Sequence, residues 1–342
     1  NNYLYIVGYY YESGDKWRVE KRNINNGSLI WATTTNIYDY NRAYGVAVDA
    51  SSVYIWGWIG EGRGLLEKRN ILDGSLIWLV TTTFSGEDVH GKYSGITLDN
   101  SGVYVSSNYF DGQELWHIEK RKLNDGSLIW ATTSAQSPNS NPFAMAVDNT
   151  GLYIVGNDMN NNDLSSGFRW RIEKRSTSTG NLIWATTSDP TNTDDRAFDI
   201  AIDNSGIYIV GMQGFKNEWR IEKRRLFDGN LLWATTSNPS GSYDAAYGVA
   251  ASSDSIYIVG YDMNYWGGQW RIEKRSILPD SEIDCGLRIK ISSTIVKFAC
   301  QPIGTLTSPL RIRKTATLTL GIILVETSSP YASPVRIQTP NG

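Results

Sequence analysis

The chain has 342 residues, is 41% hydrophobic and carries a net charge of −3. That near-neutral balance, with no Lys/Arg cluster apart from its repeats, excludes a nucleic-acid binder by composition. No apolar run approaches the ~18 residues that span a bilayer, so no membrane span is expected.

The first element is a strand-type run, Tyr3–Gly8, followed by Arg18–Arg22 (RVEKR). The same motif returns at Leu65–Arg69, His117–Arg121, Arg171–Arg175, Arg220–Arg224 and Arg271–Arg275. Its Glu (Glu20, Glu67, Glu119, Glu173, Glu222, Glu273) recurs every 47 to 54 residues. A period near 50 made only of strand and turn signals predicts propeller blades. One repeat, Ala197 to Thr236, predicts four strands: Phe198–Asp203, Ile207–Gly211, Trp219–Arg224 and Asn230–Thr236. First strands are expected from Gly45, Gly95, Ala144, Asp199 and Gly248. No segment keeps a 3.6-residue apolar period, so helix is not expected. The expected fold is all-β: a six-bladed β-propeller over 1–278 and a small C-terminal β module over 279–342.

Side chains alternate across a strand, so Trp, Ile and Lys of WRIEKR share one face and Arg, Glu, Arg the other. The six Glu, with partners such as Arg175, Arg224 and Arg275, are expected to pair with Arg of their own or adjacent blades and so to form a ring of inter-blade ion pairs. A catalytic carboxylate cluster is the competing reading; it is set aside because each Glu lies mid-strand with an Arg two residues on. Trp31, Trp78, Trp130, Trp184 and Trp233, on the fourth strands, are expected to wedge between blades. Asp49, Asp99, Asp148 and Asp203 close the first strands and read as turn residues. The short turns fall on one end of the ring, and the long, dissimilar loops, rich in Tyr, Asn, Asp, Ser and Gly, fall on the other. Function generally sits on such loops. With two His in the chain (His90 and His117), no catalytic constellation is expected. Asp158–Asp163 lacks the central Gly and distal Glu of a calcium loop. No metal site is expected.

The run Ala43–Gly57 (AYGVAVDASSVYIWG), echoed at Gly95–Val105 and Asp199–Gly211, resembles the β-propeller repeat of bacterial and archaeal secreted and cell-surface proteins. Asp125–Thr133 (DGSLIWATT) resembles the Gly-x-Leu-x-Trp docking motif of pyrroloquinoline-quinone-type propellers. These resemblances imply a propeller over about 1–278 and an extracellular or cell-surface setting. The quinoprotein enzymes generally have eight blades and a calcium site. This chain departs from them with six blades and no adjacent Cys pair, so no cofactor is carried over.

Residues 279–342 contain their own repeat, Leu287–Ile291, Leu310–Lys314 and Val335–Thr339. Cys285 and Cys300 are either a disulfide, which favours an exported protein, or two separate buried thiols. Leu318–Val325 is the most apolar segment, and Leu318, Leu320, Ile322, Ile323, Leu324 and Val325 are expected to lie at an assembly contact. The second and third strands occur six times, the first and fourth five times. The missing strands come from the same chain, from a neighbour, or from sequence outside this one. The expected function is a non-enzymatic structural or adhesive protein, a subunit of a surface layer or filament completed by strand exchange through its C-terminal module. Its expected partners are further copies or other surface proteins. A glycan-binding propeller is the alternative, and a polysaccharide-active enzyme the second.

Overall fold

The tight turns organise the blades. Asp49 Oδ1 accepts the backbone N–H of Ser51 and of Ser52, each at 2.7 Å. Asp99, Asp148 and Asp203 repeat the arrangement. Tyr54 and Tyr104, five residues on, donate their hydroxyls to the other carboxylate oxygen at 3.0 and 2.9 Å. Burial opposes ionisation of Asp49 and Asp99, yet these donors hold both below the usual carboxylate range.

The computed structural model describes residues 3–38, 40–60, 62–83, 95–110, 114–134, 140–159, 167–215, 217–264, 267–277, 283–291 and 294–300. Every element among them is a strand. Blade 1 is β1 (Tyr3–Tyr11), β2 (Asp15–Asn23) and β3 (Leu29–Thr35); blade 2 is β4 (Asn41–Val48), β5 (Ser52–Ile59), β6 (Arg63–Asn70) and β7 (Leu76–Thr83). Blade 3 is β8 (Ile96–Asp99), β9 (Gly102–Phe110), β10 (Glu114–Arg121) and β11 (Leu128–Ser134). Blade 4 is β12 (Asn141–Asp148), β13 (Gly151–Met159), β14 (Phe168–Arg175) and β15 (Leu182–Ser188). Blade 5 is β16 (Arg196–Asp203), β17 (Gly206–Gln213), β18 (Glu218–Arg224) and β19 (Leu231–Ser237). Blade 6 is β20 (Asp244–Ala251), β21 (Ser255–Asn264) and β22 (Gly267–Ser276). Each sheet is an antiparallel meander, with first strands of neighbouring blades side by side. Among the described residues, blade 1 has no first strand and blade 6 no fourth.

The chain divides into Asn1–Arg275 and Ser276–Gly342. In the second unit β23 (Ile283–Ile291) pairs antiparallel with β24 (Thr294–Cys300). The side chains of Cys285 and Cys300, and the whole of 318–325, lie outside the described residues.

Four first strands begin earlier than their alternation suggests, at Asn41, Asn141, Arg196 and Asp244. The reason is a β-bulge. The register skips between Ala43 and Gly45, Pro142 and Ala144, Ala197 and Asp199, and Ala246 and Gly248. An extra residue breaks the two-residue period on which a strand is recognised.

The core lies between blades. Trp17, Val19 and Lys21 face blade 2, and Trp170, Ile172 and Lys174 face blade 5. Indoles donate across the boundary to backbone carbonyls: Trp17 to Trp58 O at 3.3 Å, Trp170 to Met212 O at 3.1 Å and Trp219 to Tyr261 O at 3.1 Å. The Lys amines do the same at the following turn, Lys21 to Ile71 O at 2.7 Å and Lys120 to Thr177 O at 2.8 Å. Blade 2 carries Gly64 at the Trp position. Trp56 of the adjacent strand lies over it and donates to Ser106 O at 3.0 Å.

Candidate functional site

The repeated acids are spent on the fold. Glu173 accepts from Arg171 and Arg175 of its own strand at 2.7 Å each, and Glu222 accepts from Arg220 at 2.7 Å and Arg224 at 2.6 Å. Glu20 pairs with Arg18 and Arg22, Glu67 with Arg69, Glu119 with His117 and Arg121, and Glu273 with Arg271 and Arg275. Among the described residues these six Glu thus pair within their own strand, the own-blade form of the expectation and not the inter-blade ring, because residues i and i+2 of a strand share a face. Hydroxyls cross the boundary instead. Thr35 donates to Glu67 at 2.7 Å, Thr82 to Glu119 at 3.2 Å, Ser188 to Glu222 at 2.6 Å, and Ser134 to Glu173.

Trp31, Trp78, Trp130 and Trp184 sit over the turn glycines of the next blade, Gly74, Gly126, Gly180 and Gly229, all with positive φ. Any Cβ at Gly180 would stand 2.7 Å from the Trp130 ring. Trp233 is half-buried on β19, the outer strand of blade 5.

The bulges create a feature that the repeats alone did not reveal. The residues bulged out of the first strands are Tyr44, Phe143, Phe198 and Tyr247, aromatic in each of these four first-strand bulges. On the first strands of blades 4, 5 and 6, Phe143 and Phe198 meet edge to face at 5.2 Å, and Phe198 and Tyr247 meet at 4.9 Å and 36°. These rings form a ladder at the end of the ring that carries the long loops. Phe143 and Phe198 are partly covered, while Tyr247 is exposed. Arg196, held by Asp194, interacts electrostatically with Tyr247, and Arg42, paired with Asp15, interacts electrostatically with Tyr44. The signal in the sequence is an aromatic at one repeat position of four first strands, just where alternation fails.

Next to the bulges, buried Asn41, Asp195 and Asp244 tie each incoming loop to its first strand. Asp195 accepts from the Thr191 hydroxyl and the Gly214 N–H, both at 2.9 Å. Burial nonetheless pushes its carboxyl up to about 6. A carboxylate whose folded pKa is raised lowers stability above that pKa, and the penalty disappears as pH falls toward its unfolded value near 4. Asp195→Asn, which copies Asn41 of blade 2, should therefore raise the melting temperature at pH 7.5. After allowance for solvent screening, the gain is on the order of 1–2 kcal/mol. Melting curves from pH 7.5 to 4 should show the advantage vanish between about 6 and 4. An advantage independent of pH would assign the effect to packing.

The fold and its seams define a six-bladed β-propeller. No protein-family model matches the chain, and no curated protein matches it. Among solved structures it is similar to the quinohemoprotein alcohol dehydrogenase of Comamonas testosteroni, with 15% identity over 75% of this chain and 50% of that one, at a TM-score of 0.48. A Bacteroides uniformis protein provisionally named a 6-phosphogluconolactonase matches at 13% identity over 81% of this chain and 82% of that one, TM-score 0.50. The chain thus spans about half the length of the quinohemoprotein dehydrogenase. At these identities the likeness is one of fold. Among the described residues no helix is long and apolar enough to cross a membrane.

Proposed function

We propose that this propeller is a non-enzymatic adhesive protein of an extracellular or cell-surface setting, holding carbohydrate on its aromatic ladder. The observation that carries the reading is the Phe143–Phe198–Tyr247 ladder, set by bulges at the variable end of the ring. Bulges re-aim side chains and are over-represented beside functional sites. Sugars offer C–H faces to aromatic planes and hydroxyls to guanidinium groups such as Arg196 and Arg42. The setting rests on the likeness of the repeats to secreted propellers.

Retention of the protein on a panel of immobilised polysaccharides tests this. Tyr247→Ala combined with Phe198→Leu should weaken retention at least tenfold with an unchanged melting temperature. A wild-type protein that no polysaccharide retains would remove the carbohydrate reading. Release of soluble fragments from the panel would replace adhesion with catalysis, the class suggested by the enzyme names of the structural neighbours.

A second reading, a building block of a surface layer or filament, is favoured by the exposed apolar side chains of the end blades, Leu4 and Ile6 on blade 1 and Trp270 and Ile272 on blade 6. In that reading a strand from 276–342 of a neighbour completes a deficient blade.

A further inference from the structure

The internal boundaries join the apolar and Lys face of one third strand, Trp/Ile/Lys in blades 3 to 5, to the second strand and the Glu-bearing face of the following blade. Among the described residues, two such faces have no blade against them. On blade 6, Trp270 is 88% exposed and Ile272 75%, whereas Trp219 and Ile221, their equivalents on blade 5, are 0% exposed. Tyr257 and Val259 of β21 are exposed too, while Tyr208 and Val210 are buried. On blade 1, Leu4 is 43% exposed and Ile6 46%, whereas the equivalent Ile207 and Ile209 are 0% exposed. Ile6 lies opposite Glu20 and Leu4 opposite Arg22, so these apolar side chains share the face of the Arg18–Glu20–Arg22 cluster.

These two faces are the two halves of the contact that the chain makes at each internal boundary. We propose that the blade 6 face docks on the blade 1 face of a second copy, head to tail. The internal boundaries supply the register. The Trp270 indole takes Tyr9 O as acceptor, as Trp219 takes Tyr261 O, and the Lys274 amine takes Ile24 O, as Lys21 takes Ile71 O. Ile24 is exposed, whereas its equivalent Ile71 is buried under blade 1. Trp270 and Ile272 fill the place over Leu4 and Ile6 that blades normally close. A contact between unlike faces gives a closed pair if the rotation closes and an open chain if it does not. Among the described residues blade 6 has no fourth strand to bring a wedge Trp, or a hydroxyl for Glu20, to the seam. It is therefore weaker than the internal ones, and association depends on concentration. The inference deepens the building-block reading and is independent of carbohydrate binding.

The test uses two full-length variants, Ile272→Asp with the blade 6 face blocked and Ile6→Asp with the blade 1 face blocked. Both side chains are exposed, and equal melting temperatures in dilute solution verify that each folds. In sedimentation, the wild type should gain mass with concentration, each variant alone should stay monomeric, and their equimolar mixture should form a one-to-one pair. A variant that pairs with itself would mean like faces meet, which overturns the head-to-tail seam. A wild type monomeric at millimolar concentration, with β22 amides protected from exchange, would mean that the ring closes on itself. A wild type monomeric with β22 unprotected would leave no second copy at this face. Association of all samples, variants included, would place the contact elsewhere, leaving the building-block reading but not this seam. Polysaccharide retention by Ile6→Asp and Ile272→Asp should match the wild type, which separates this outcome from failure of the adhesive reading.

Discussion

Glu173→Ala should cost about 3–5 kcal/mol of folding stability, because it leaves two buried guanidinium groups facing each other without their carboxylate. Arg171 and Arg175 both bond Glu173, and both are buried between blades 3 and 4. Ser134 of the preceding blade loses its acceptor as well. The same substitution at Glu20 should cost under about 1 kcal/mol, because Arg18 and Arg22 are partly exposed and water replaces the lost partner. The motif differs only by Val19 for Ile172; the main difference is the neighbouring blade. Denaturant unfolding of the two variants measures the contrast. Equal losses would mean that the covering blade contributes nothing to the network.

The second large effect is expected at Gly211. A Cβ there would stand 2.0 Å from Arg196 O and 2.9 Å from Trp170 Cζ2. The glycine faces the strand just before the Phe198 bulge, so the backbone of β16 can approach only because no side chain intervenes. Gly211→Ala should destabilise by about 3 kcal/mol, at the upper end of what overpacking costs. It should also displace the ladder and weaken carbohydrate retention. Gly8 is the equivalent position of blade 1, where a Cβ would meet nothing within 4 Å. Gly8→Ala should therefore stay within about 0.5 kcal/mol of the wild type. Thermal melts of the pair, with retention measured beside them, check both statements. A tolerated Gly211→Ala would show that the bulge can relax without loss.

Repeat number, strand order and the turns were legible in the sequence because each depends on residues close in the chain. Asp49 bonds amides two and three residues on, and Glu173 bonds guanidinium groups two residues away on its own face. Local geometry and a period near 50 suffice for those. The bulges were not legible, since an inserted residue erases the alternation that marks a strand, and Tyr44, Phe143, Phe198 and Tyr247 then read as ordinary packing. The strand count marked the end blades as one strand short, but it could not say which faces of them would be exposed. Trp270 and Trp219 stand in the same WRIEKR motif, as do Glu20 and Glu173 in its near copies. One Trp is buried and the other exposed because a blade covers its neighbour across some fifty residues of chain. Which face meets another blade is a property of the assembled blades, so tertiary structure alone decided which faces of the described residues are exposed.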